Sequence, residues 1–93
     1  MTREDILSAA QKCVCGDRDK QYGTPENNFR VIGQLWEHYL KGKYGTGEIF
    51  ILPQDVAAMM TLFKIGRMAT GHNKTDNWID AAGYAACGGE LEG

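Results

Sequence analysis

The chain has 93 residues, 43% of them hydrophobic, and a formal net charge of −2. That apolar content suits a folded chain rather than a disordered one, and the length predicts a single domain over residues 1–93 with a modest core. The slight acidity excludes bulk attraction to long nucleic acid or to an anionic membrane, so any anion site has to come from a local cluster of cations.

In chain order, four helices are predicted. The first runs from about Arg3 to Cys15, with Thr2 as N-cap, Asp5 closing an aspartate form of the capping box, and Gly16 as the stop. Ile6, Leu7, Ala10 and Val14 recur along it at helical spacing. A loop from Asp17 to Gly23 follows. Thr24-Pro25-Glu26 then supplies an N-cap, a proline at the first helical position and an acid in the first turn of the second helix. Its apolar stripe is Phe29, Ile32, Leu35, Trp36, Tyr39 and Leu40. Gly42, Gly45 and Gly47 open a long connection in which Glu48 to Leu52 reads as an extended stretch or a plug for the bundle. The third helix runs from Pro53 to about Ala69, with Gly71 as its stop. Its broad face of Val56, Met59, Met60, Leu62, Phe63 and Ile65 predicts the central helix. The fourth is expected to be capped by Thr75, to begin at Asp76 and to end at Gly88-Gly89. Its middle, residues 81–86, is small enough for another helix to approach closely, from the same chain or from a second subunit. The short loop before it makes helices three and four antiparallel neighbours.

No apolar run approaches the roughly 20 residues that span a bilayer. The segment Thr2-Arg3-Glu4-Asp5 lacks the apolar region of a secretory leader. A cytoplasmic protein is expected. The cysteines, Cys13, Cys15 and Cys87, are odd in number and form no Cys-x-x-Cys pair, and His38 and His72 complete no zinc-ligand spacing. Free thiols in a reducing compartment are the expectation.

The residues that carry chemistry fall in three places. Arg18 and Lys20 flank an acid ahead of Tyr22, which reads either as a solvated loop whose tyrosine packs back on the core or as phosphate contacts and a base-stacking ring beside the N-terminus of helix two. Lys64 and Arg67 lie three residues apart near the end of helix three. Asp76 and Asp80 share a face of helix four, with Asn77 between them and Tyr84 one turn beyond Asp80. The antiparallel hairpin sets Lys64 and Arg67 level with the two aspartates. Two readings stay open. One is a structural ion-pair network, with a bidentate Arg67–Asp80 pair and a Tyr84 hydroxyl bonded to a neighbouring acid. The other is a ligand cleft: Lys64 and Arg67 on phosphate oxygens, Asp76 and Asp80 on one Mg²⁺, Asn77 on a base edge. Asp55 is accounted for by the helix dipole. Trp36 and Trp78 read as core.

The order Arg18-Asp19-x-x-Tyr22-Gly23-x-Pro25-x-x-Asn28-Phe29, then Leu35-Trp36-x-x-Tyr39-Leu40, Asp55-Val56-Ala57-x-x-Met60-x-x-x-Lys64-Ile65-x-Arg67 and Asp76-Asn77-x-x-Asp80-x-x-Gly83-Tyr84 resembles a small phage and prophage family known only as a domain of unknown function. The same pattern resembles phage domains associated with nucleotide modification and, more distantly, the MazG-like all-α nucleoside triphosphate pyrophosphohydrolases. The resemblance implies an all-α, four-helix MazG-like bundle completed by oligomerisation, in the host-cell cytoplasm. MazG-like enzymes hold Mg²⁺ with a Glu-x-x-Glu on one helix and a Glu-x-x-Asp on the next. Here Lys64 and Arg67 stand in place of the first motif, and Asp76 and Asp80 replace the second at a wider spacing.

The expectation is a homo-oligomeric protein that binds a nucleotide or a small cyclic oligonucleotide without cleaving it; the resemblance to phage proteins implies either sequestration of a host immune signal or a role in phage nucleotide metabolism. Arg18, Lys20, Tyr22, Lys64, Arg67, Asn77 and Tyr84 are the expected ligand residues. This reading requires no cofactor and no catalytic residue. The alternatives are an Mg²⁺-dependent pyrophosphohydrolase, with Asp76 and Asp80 as metal ligands, and a protein–protein inhibitor with no small ligand.

Overall fold

The computed structural model describes residues 1–16, 23–45, 47–71 and 74–93. Among these, the regular elements are α-helices: α1 (Arg3–Val14), α2 (Pro25–Tyr44), α3 (Pro53–Ala69) and α4 (Thr75–Glu92). The all-α expectation holds. No helix among the described residues is long and apolar enough to cross a membrane.

The first two starts are set by local chemistry. The Thr2 hydroxyl accepts from the Asp5 amide at 3.1 Å, and the Asp5 carboxylate accepts from the Thr2 amide at 3.0 Å. Two amides that the helix itself leaves unpaired are thereby satisfied. Thr24 accepts from the Asn27 amide at 3.2 Å, with Pro25 as the first helical residue. α2 continues through Gly42 and stops at Gly45, whose left-handed φ of 66° suits glycine. At α3 the residue before Pro53 has no capping side chain. The Asp55 carboxylate accepts from the Leu52 amide at 2.9 Å instead, giving Asp55 a specific bond beyond its favourable place at the dipole.

α4 departs from expectation at both ends. Its cap position is Lys74, whose ammonium has no acceptor to offer the first-turn amides, and the Asn77 amide donates to the Lys74 carbonyl at 3.0 Å. It then continues through Gly88 and Gly89 to Glu92. Gly88 is a packing residue rather than a stop: a Cβ there would lie 3.1 Å from that of Ala57 on α3. The absence of a side chain lets the two helices close, at the propensity cost of a glycine within a helix, about 1 kcal/mol.

The order of packing is α1–α4–α3–α2. α4 lies against both α1 and α3, α3 lies against both α4 and α2, and the remaining pairs touch only lightly. Gly83 serves α1 as Gly88 serves α3, since a Cβ on it would stand 3.1 Å from Val14 Cγ1. Two glycines of α4 thus seat neighbours within the chain. The segment before α3 is not a strand. It lies across α2, with the Ile51 amide donating to Glu37 at 3.2 Å and the Ile51 carbonyl directly over Gly33.

The buried apolar core is small: Ala10, Val56, Ala57, Ile79 and Cys87. α3 is one of two central helices, but its predicted face is only partly covered. Val56 is fully buried, whereas Met59, Leu62, Phe63 and Ile65 are exposed. Trp78, expected in the core, is 60% exposed. It follows the buried Asn77 and precedes the buried Ile79, and the rotation of 100° per residue carries it off the packed face. Trp36 is half-buried. Cys13 and Cys15 are exposed thiols and Cys87 is buried.

Candidate functional site

The open arrangement leaves a cavity of about 490 Å³ where α1, α2 and α4 face one another. Val14 and Cys13 come from α1, Phe29 and Asn28 from α2, and Ile79, Gly83, Tyr84 and Asp80 from α4. Each contribution follows from helical spacing. Ile79, Gly83 and Cys87 sit four residues apart on one stripe, with Asp80 and Tyr84 one position round. Gly83 keeps the floor low because no side chain rises from it.

The rings of Phe29 and Tyr84 form the aromatic part, with centroids 6.4 Å apart and planes tilted by 41°. That geometry falls within the favourable range for aromatic pairs. At the polar edge the Asp80 carboxylate is held by the Lys64 ammonium at 2.9 Å. The Lys64 side chain is 16% exposed and that of Asp80 38%, so the pair bridges the α3–α4 hairpin in a partly dry setting. A volume of this size, apolar walls and a few fixed polar groups are the general features of a small-molecule site.

Asp80 and Tyr84 are predicted residues that line this cavity, and Lys64 joins them through Asp80. Arg67 does not take the expected place beside the aspartates: its guanidinium lies 5.8 Å from the Phe63 ring centre, and the partner of Asp80 is Lys64. The Lys64 ammonium also lies 5.6 Å from that ring. Tyr84 pairs with Phe29 rather than donating to an acid. Asp76 is exposed at the first turn of α4, and Asn77 is buried there, away from the cavity lining. Among the described residues, no three His, Cys, Asp or Glu side chains come together as a metal site. Arg18, Lys20 and Tyr22 lie outside the described residues.

Phe29 and Asn28 are cavity residues that the sequence reading did not assign to the site. In the sequence Phe29 belongs to the apolar stripe of helix two, and both residues close the first motif of the family resemblance. The signal available was their adjacency, together with a Tyr84 that also needed an aromatic or polar partner.

A family model described as "Domain of unknown function (DUF6378)" matches residues 5–92. The chain is 41% identical over 85 residues to the Gene 55 protein of Mycobacterium phage D29, an alignment covering 90% of this chain and 51% of that protein. It is 36% identical over 80 residues to the Gene 55 protein of Mycobacterium phage L5, covering 86% of this chain and 47% of the relative. The chain therefore spans about half the length of these curated relatives. No solved structure gives a significant match. The resemblance to a phage family of unknown function is borne out.

Proposed function

The chain belongs to the DUF6378 family, and we propose that it binds a nucleotide or a small cyclic oligonucleotide and holds it intact. The observation that carries this reading is the α1–α2–α4 cavity, with its paired Phe29 and Tyr84 rings beside Asn28 and the tethered Asp80. Aromatic faces accept any base by stacking, and a fixed carboxylate and an amide suit the donors and acceptors of a base edge. Arg18 and Lys20, which lie between α1 and α2 in the sequence, are the cations proposed for the phosphates.

Holding is favoured over cleavage by the state of Asp80. Its carboxylate faces an ammonium at 2.9 Å, and a cation so placed competes with Mg²⁺ for the same oxygens. In this reading the helical frame is MazG-like, with Lys64 standing where the enzymes carry a metal ligand. In a phage protein, as the mycobacteriophage relatives are, such holding would withdraw a nucleotide signal of the host.

The test is incubation with canonical nucleotides and cyclic oligonucleotides in the presence of Mg²⁺, followed by heat denaturation and chromatography of what was held. Recovery of unaltered ligand is the expected result. A metal-dependent monophosphate and pyrophosphate product, lost in Asp80→Asn, would instead establish a pyrophosphohydrolase.

A further inference from the structure

The helices leave far more surface exposed than a folded monomer of this size requires. The chain exposes 6762 Å², whereas a monomer of 10.3 kDa exposes about 5,350 Å². Its radius of gyration is 14.7 Å, against about 12 Å for a compact domain of the same length. The excess surface, about 1,400 Å² per chain, exceeds the roughly 800 Å² that each partner gives to a standard interface and falls in the range of obligate homodimers.

Part of that excess is apolar and continuous with the cavity. Val31 lines the cavity and is 41% exposed. Leu35 and Tyr39 follow it at four-residue steps on α2, 63% and 64% exposed. On α1, Val14 lines the cavity, and Leu7, seven residues earlier on the same face, is 65% exposed. The α2 wall of the cleft therefore runs on as an unpartnered apolar helix face, with the single exposed Leu7 on the α1 side. α4 is a weaker candidate, because Gly83 and Gly88 already seat α1 and α3.

We infer that a second copy of this chain packs on the α2 face of Val31, Leu35 and Tyr39, in a two-fold dimer that also closes the outer end of the α1–α2 cleft. A two-fold interface sets the same patch against itself, so Leu35, at the centre of the stripe, lies near the axis. This assembly stands independently of what the cavity binds.

Sedimentation equilibrium at micromolar concentration tests it. The wild-type chain is expected at twice its monomer mass, Leu35→Glu at the monomer mass with its helical circular dichroism kept, and Trp78→Glu still as a dimer. If Leu35→Glu unfolds, a Leu35→Cys variant with Cys13 and Cys15 changed to Ser decides the matter. It should oxidise to a covalent dimer, and Trp78→Cys in the same background should not. A monomeric wild-type chain overturns the inference. So does a dimer that survives folded Leu35→Glu, or a crosslink formed through Trp78→Cys and not through Leu35→Cys. A monomer here would also point to further chain, such as the longer relatives possess, as the cover of this face.

Discussion

Replacing Gly33 by Ala tests how the connection is locked onto α2. A Cβ at this position would sit 2.4 Å from the Ile51 carbonyl oxygen and 3.5 Å from Val56 Cγ2. The oxygen belongs to the backbone, so relief requires the segment ahead of α3 to retreat by about 1 Å to reach ordinary contact. Overpacking of this kind costs about 1–3 kcal/mol. The retreat also strains the bond from the Ile51 amide to Glu37, itself 3.2 Å long and worth about 1 kcal/mol. Against this, Ala gains about 1 kcal/mol over Gly in a helix interior. The net loss is about 2 kcal/mol, which lowers the melting temperature of a domain this size by roughly 8–16 °C. Gly66→Ala on α3, where nothing lies within 4 Å, is the matched control and should gain up to about 1 kcal/mol. Thermal melts of the two variants beside the wild type make the comparison. A Gly33→Ala protein melting at or above the wild-type temperature would refute the close approach.

Two further outcomes follow from the site. Lys64→Ala and Asp80→Ala, combined in a double-mutant cycle by denaturant unfolding, should show a coupling of roughly 1 kcal/mol, since the pair is close but Asp80 keeps contact with water. Tyr84→Ala should weaken nucleotide binding in a calorimetric titration by about 1–3 kcal/mol, the usual contribution of a stacked base, whereas Trp78→Ala, outside the cavity, should leave it unchanged.

Features governed by neighbours in sequence were legible before the structure. Thr2 with Asp5, and Thr24 with Pro25, act within one turn, and their bonds form as their spacing predicts. The pairing of Lys64 with an aspartate of α4 follows from an antiparallel hairpin, although which cation would pair depended on packing detail: Lys64 meets Asp80, while Arg67 settles on Phe63. Features decided by tertiary contact were hidden. Gly88 looked like a stop and is a seat for Ala57. Met59, Leu62 and Phe63 looked like core because periodicity records which residues are apolar and not what covers them. The cavity was hidden for the same reason: Phe29 and Tyr84 are far apart in sequence, and only the three-helix arrangement brings their rings together. The contribution of Arg18, Lys20 and Tyr22 lies outside the described residues.

Ligand retention is the most direct test of nucleotide holding. A native mass spectrum of the protein purified from cells reports subunit number and any held molecule in one measurement, and mild activation followed by fragmentation identifies the molecule released. The expected result is a complex whose added mass is an intact nucleotide or cyclic oligonucleotide, retained after chelation of divalent metal and lost in Tyr84→Ala. A wild-type protein that carries no such mass, and gains none when the nucleotide panel is supplied, would contradict it.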